Sequence, residues 1–162
     1  MQIEKIVSGG QTGVDRGALD AALAAGFPCG GWCPEGRLAE DGAIADRYPV
    51  VVLPGAGYEE RTLRNVLDSD GTAILHSGLL EGGTRLTAEH CAKHGKPRLL
   101  IDAAAFSPEH AAAEISAFVE RERISVLNIA GPRSSKWPGA HGYACETLSV
   151  LLRGCTVRDS SR

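Results

Sequence analysis

Three short segments hold most of the residues able to do chemistry. The first, Ser8-Gly9-Gly10-Gln11-Thr12-Gly13-Val14-Asp15-Arg16-Gly17, follows an apolar run and leads into a helical pattern. Glycines let backbone N–H groups approach an anion closely, and a helix N-terminus adds unpaired donors and a partial positive charge. The segment is built like a phosphate cradle; Thr12 and Asp15 as a helix cap are the alternative, but one cap does not require three glycines. It lacks the Lys-Ser/Thr ending of a nucleoside-triphosphate loop and the full dinucleotide fingerprint, which weighs against metal-dependent NTP hydrolysis and ordinary NAD binding.

The second segment, Ser77-Gly78-Leu79-Leu80-Glu81-Gly82-Gly83-Thr84, again joins a strand pattern to a helix pattern, with Thr87 one turn further on. Gly82, Gly83 and Thr84 present amides and a hydroxyl at a helix start. The plainer reading is a tight turn with Thr84 as N-cap. In the third segment, Ala130-Gly131-Pro132-Arg133-Ser134-Ser135-Lys136-Trp137-Pro138-Gly139, Arg133 can grip a phosphate bidentately and Lys136 can act as a point charge. A solvated basic loop is the alternative, and Trp137 either stacks on a planar ring or closes the loop over the core.

Other groups carry less. Arg61, Arg64, Asn65 and Asp68 share a helix face by spacing, with Arg61-Thr62 placed to reach a ligand. Asp15, Glu35, Glu40, Asp41, Asp70 and Glu81 offer no spacing that fixes an acid/base pair. His90 and His94 share a helix face but lack the Glu of zinc proteases and a third ligand, so a polar face is expected there and no tightly bound catalytic metal. Cys29 and Cys33 are three residues apart with no second pair nearby, which argues against a metal site. There is no Gly-x-Ser-x-Gly elbow, and no cysteine has a basic partner in sequence.

The elements that must position these groups alternate along the chain. Strand patterns at Ile3–Ser8, Pro28–Trp32, Tyr48–Leu53, Thr72–His76, Arg98–Ile101 and Ser125–Ala130 alternate with helices. The helices run from near Asp15 to Ala25, from Tyr58 to Asp68, from Thr84 to His94, from Pro108 to about Arg123 and from about Gly142 to Arg153. Crossovers of a dozen or more residues imply parallel neighbours and right-handed connections, hence a doubly wound α/β sheet of about five or six strands. Ligands of such sheets bind beyond the carboxyl ends of the strands, where the three segments lie. Pro34–Arg47 is the longest irregular stretch.

Composition narrows the class. The 162 residues suit one domain, read here as residues 1–154 with a polar tail at 155–162. Glycine, at 20 residues, exceeds the usual ~7%, and nine of these fall in the three segments. A net charge of −3 argues against nucleic-acid binding. The N-terminal run lacks a basic lead or cleavage site and no stretch reaches the ~18 apolar residues of a membrane span, so a soluble cytoplasmic protein is expected. Five scattered cysteines read as reduced thiols.

The motifs and their order resemble the molybdenum carrier (molybdenum cofactor carrier) family. The matching residues are Ser8 to Arg16, Gly30-Gly31-Trp32-Cys33-Pro34 with Ala39-Glu40-Asp41-Gly42, and Arg61-Thr62-x-x-Asn65-Val66. To these are added Asp68-Ser69-Asp70-Gly71-Thr72, Gly82-Gly83-Thr84, and Asn128-Ile129-Ala130-Gly131-Pro132-Arg133. The likeness covers roughly residues 3–153 and is weakest over Val50–Gly57. It implies a single-domain Rossmann-like three-layer αβα sandwich with a mostly parallel sheet. It also implies a homo-oligomer, dimer or tetramer, that binds molybdenum cofactor, a phosphate-bearing pterin, as cargo and protects it or delivers it to a molybdoenzyme. The contacts it implies are Gly9, Gly10, Thr12, Gly13, Gly82, Gly83, Thr84 and Arg133, with Gln11, Arg16, Ser135 and Lys136 beside them.

The wider superfamily includes the cytokinin-activating phosphoribohydrolases. Those enzymes share Pro-Gly-Gly-x-Gly-Thr-x-x-Glu, whose Glu helps cleave an N-glycosidic bond. Here Gly82-Gly83-Thr84 lacks the following Gly-Thr, and Thr87 stands three residues after Thr84. A hydroxyl does not replace that carboxylate as acid/base, so binding without turnover is favoured. The alternatives are a nucleoside-monophosphate hydrolase using Glu81 or Glu89, and a sensor of a nucleotide-derived signal.

Overall fold

The computed structural model describes residues 2–155; most of the expected tail lies outside the described residues. The chain runs β1 (Lys5–Val7), α1 (Val14–Ala24), β2 (Cys29–Cys33), a small hairpin of β3 (Leu38–Ala39) and β4 (Gly42–Ala43), β5 (Val50–Val52) and α2 (Tyr58–Leu67). It continues through β6 (Gly71–His76), α3 (Gly82–Lys93), β7 (Arg98–Asp102), α4 (Pro108–Glu122), β8 (Val126–Ala130) and α5 (Ala140–Arg153). Six strands form one sheet in the order β5-β2-β1-β8-β6-β7, and every pairing within it is parallel. The order reverses direction at β1 and β8, as a doubly wound sheet requires.

Helices α1, α4 and α5 cover one face and α2 and α3 the other. The main core joins Ile6, Leu127 and Ile129 of the central strands to Val14, Ile115, Phe118 and Leu148 of the first helix layer, all at most 1% exposed. Fully burying each such side chain stabilises the fold by about 1.5–3 kcal/mol. A smaller cluster of Leu19, Cys33, Ala39, Ile44, Tyr48 and Val50 fixes the hairpin against the sheet edge.

Three details differ from the sequence reading. Pro34–Arg47 is organised, because the Arg37 guanidinium donates to the carbonyls of Ile44 (3.0 Å), Val50 (2.9 Å), Ala45 (2.9 Å) and Tyr48 (3.1 Å). That cage is built from tertiary contacts and has no periodic signature. Tyr48 stands outside the strand pattern because its amide turns back to Ala45 (3.1 Å). The third helix begins two residues before Thr84: Glu81 is its N-cap, and the amides of Thr84 and Arg85 bond the Glu81 carbonyl at 3.1 and 3.2 Å. Among the described residues, no helix is long and apolar enough to cross a membrane.

Candidate functional site

Beyond the carboxyl ends of the central strands lies an open cleft of about 680 Å³. Its walls come from the first segment (Gly9, Gln11, Asp15), the start of α2 (Tyr58, Arg61, Asn65), the second segment with the start of α3, and the third segment from Ala130 to Trp137. The sequence reading placed a binding surface at these three strand-end loops, and the structure brings all three together.

The second segment supplies the open donors. In α3, Gly82 and Gly83 occupy the first two helical positions, whose amides have no acceptor within the helix. A Cβ built on either residue meets nothing within 4 Å, so there is space in front of both. Thr84 is buried at the third position and lines the cleft. Thr87 also lines it, its hydroxyl donating to the Gly83 carbonyl at 2.8 Å, so it continues the helix rather than facing a reaction.

The first segment is spent on the protein itself. The Gln11 amide donates to Asp15 (3.2 Å), Thr12 to the Gln11 side-chain oxygen (3.0 Å), Val14 to the Pro132 carbonyl (3.2 Å) and Arg16 to the Gln11 carbonyl (3.1 Å). Gly13 is the N-cap of α1, with no side-chain cap, and its φ of 82° leaves it against the Pro132–Arg133 backbone. Gly9 and Gln11 line the cleft, whereas Gly10, Thr12, Gly13 and Arg16 stand behind it. Arg16 donates to the Gly10 carbonyl (3.0 Å) and pairs with Asp41 (2.7 Å), and the Thr12 hydroxyl donates to Glu40.

In the third segment, Arg133 and Lys136 line the cleft and are exposed, while Ser135 lies behind, bonded to Glu40. Trp137 also lines the cleft and packs on Tyr143, ring centroids 5.5 Å apart, so one aromatic surface serves both core and cleft.

Sequence reasoning undervalued a buried ion pair in the cleft wall. Arg61, only 7% exposed, donates to the Gly9 carbonyl at 2.8 Å and lies 3.7 Å from the Asp15 carboxylate. Burial raises the Asp15 carboxyl above its ordinary value; the Arg61 charge and hydrogen bonds from Gln11, Ser8 and Gly9 oppose that rise. Asn65, one turn along α2, grips Trp32 on both sides of its backbone (2.8 and 3.0 Å). The spacing places Arg61 in a helix stripe that usually marks a solvated face, with Arg61-Thr62 positioned to reach a ligand; it carries no signal of the burial against Asp15.

Two candidate carboxylates separate here. Glu81 lines the cleft, but Glu89 pairs with Arg85 at 3.0 Å on the outer face of α3 and is not part of its wall. His90 and His94 are not part of the cleft wall either; burial is the main cause lowering the His90 pKa. Among the described residues no group of three or more His, Cys, Asp or Glu side chains could hold a metal ion. Cys29 and Cys33 are free thiols on one face of β2, both pushed up by burial.

The profile of the circularly permutated YpsA SLOG family matches residues 6–152. The chain belongs to this SLOG family. The SLOG chain is also 47% identical to a protein of known crystal structure, described as a "Putative molybdenum carrier protein" from Syntrophus aciditrophicus SB. That likeness covers 93% of this chain and 95% of the other, with a TM-score of 0.90. No curated protein matches the chain. The SLOG match spans every segment that lines the cleft, from Gly9 to Trp137.

Proposed function

We propose that this chain is a binding protein for molybdenum cofactor, holding the phosphate of the pterin at the start of α3 and protecting or delivering it without turnover. The observation that carries this reading is the juxtaposition of the Gly82 and Gly83 amides with Arg133 and Lys136 in one cleft. A helix N-terminus beside two cations favours a phosphate, and each charge-assisted bond contributes about 1.5–3 kcal/mol. Tyr58, Leu79 and Trp137 give the cleft apolar walls suited to a planar ring. The 47% identical relative bears a molybdenum carrier's name, which supports the choice of cargo. Gly9, Gln11, Gly82, Gly83, Thr84, Arg133 and Lys136 are the contacts; Gly10, Thr12, Gly13, Arg16 and Ser135 shape the loops that carry them. The working form is a cytoplasmic dimer or tetramer that serves a molybdoenzyme.

The absence of turnover rests on the carboxylates. Asp15 is tied to Arg61 and to its own loop, and Glu81 closes the first turn of α3 through its backbone carbonyl and not its carboxylate; among the described residues neither carboxylate is hydrogen-bonded to a histidine or a second carboxylate that would make an acid and base pair. The test is to mix the pure protein with molybdenum cofactor, AMP and related phosphates, measuring binding and product together. Binding without product is expected, and release of free base from AMP would move the chain to the nucleoside-monophosphate hydrolases.

A further inference from the structure

Two of the residues behind the cleft, Thr12 and Ser135, send their donors to Glu40 at the turn of the β3–β4 hairpin. Its carboxylate accepts from the Thr12 hydroxyl, the Ser135 amide (3.2 Å) and the Ser135 hydroxyl (2.6 Å), and lies 3.4 Å from the Arg133 Nε. A side-chain hydroxyl, a backbone amide and a guanidinium on two oxygens are what an anionic ligand would be given. The occupant here is part of the chain. Its backbone is fixed, because the Glu40 amide donates to the Gln11 side chain at 2.9 Å and Asp41 next to it pairs with Arg16. The side chain is 20% exposed, so water and solutes reach it.

Arg133 joins this cluster to the cleft. It lines the cleft wall, yet its Nε faces Glu40, so a ligand anion that uses Arg133 draws on a charge already partly neutralised. Competition for the guanidinium and repulsion between two anions act in the same direction. We propose that Glu40 is an internal competitor of the ligand: it shares Arg133 with the cleft and holds the affinity for a phosphate-bearing anion low enough for release. This rests on the reading of the cleft as an anion site, and it gives a carrier the weak grip that handing on a cargo needs. The strong bonding at the carboxylate is reflected in its titration, since the Ser135 and Thr12 hydroxyls, more than Arg133, hold the Glu40 carboxyl below its ordinary value.

Calorimetric titration of AMP and of inorganic phosphate into the wild-type protein and Glu40→Gln tests it. Gln keeps the shape and removes the charge, so affinity should rise roughly five- to tenfold, and the larger part of that gain should be lost when Arg133→Ala is added. Unchanged or weaker binding by an E40Q protein that melts like wild type overturns the proposal. A second measurement needs no variant: followed by carbon-detected NMR in the wild type, the Glu40 carboxyl should titrate at higher pH when saturated with AMP than when free. Equal titration in both states also overturns it. AMP binding that ignores Glu40 in these experiments leaves the anion cleft standing and removes only this role; no binding by either protein removes both.

Discussion

Two glycine-rich segments follow strand ends in this chain, and they use their glycines in opposite ways. Between Ser8 and Gly17 every residue except Thr12 and Arg16 is buried, and a methyl on Gly9 or Gly13 would overlap the Arg61 guanidinium or the Pro132 carbonyl. Between Ser77 and Gly83 all but Leu80 are exposed, and Gly78, Gly82 and Gly83 have nothing within 4 Å of an added Cβ. The first segment therefore lacks side chains so that protein can pack against protein. The second lacks them where there is space for something else. Spare room in front of unpaired amides distinguishes a binding loop from a packing loop better than glycine count does.

The contrast can be broken by substitution. The largest effect is expected for Gly13→Ala, where a left-handed φ of 82° and an immovable carbonyl coincide. Thermal or urea unfolding should show a loss of about 2–4 kcal/mol, and a wild-type midpoint would remove the packing role assigned to the first segment. Arg133→Ala comes next: ligand affinity should fall roughly tenfold or more, with stability unchanged within about 0.5 kcal/mol, by calorimetry and a melting curve. If affinity is untouched, the third segment does not hold the ligand.

A smaller effect separates the buried pair from its loop. Because burial raises the Asp15 carboxyl, the folded state keeps its proton to higher pH than the unfolded chain. Its contribution to stability is therefore full below the ordinary value of 3.8 and is lost as pH rises through the folded-state value. Asp15→Asn removes that dependence, so the variant should gain on the wild type as pH rises through this window; parallel stability curves would contradict the assignment. The smallest effect is expected for the His90 and His94 pair on α3. Elemental analysis should find no tightly bound zinc, and one metal per chain, lost on mutating His90 and His94, would overturn that.

How much of this was legible in the sequence follows from the range of the interactions. The strand and helix alternation is local and periodic, so the parallel sheet and the strand-end location of the cleft could be read directly. Element ends moved where a tertiary partner intervened, as with Glu81 capping α3 in place of Thr84 and Tyr48 turning away from β5. The site divided along the same line. Gly82, Gly83 and Arg133 carry their chemistry in their own segment, and their cleft position agrees with the motif. Thr12, Arg16 and Ser135 have the right chemistry too, but their partners Glu40 and Asp41 come from a hairpin 25 to 95 residues away in sequence. No spacing rule reports that a site is already taken by the chain's own carboxylates.

The central claim, that the start of α3 holds the phosphate of the ligand, is tested most directly by one substitution. Gly83 lines the cleft, has no left-handed φ and has open space around an added Cβ, so Gly83→Ala adds a methyl to the wall beside the proposed phosphate position without straining the fold. Titrating molybdenum cofactor into wild type and G83A, with melting curves on both, should show at least roughly tenfold weaker binding at an unchanged or slightly raised melting temperature. Equal affinity for the two proteins would contradict the account.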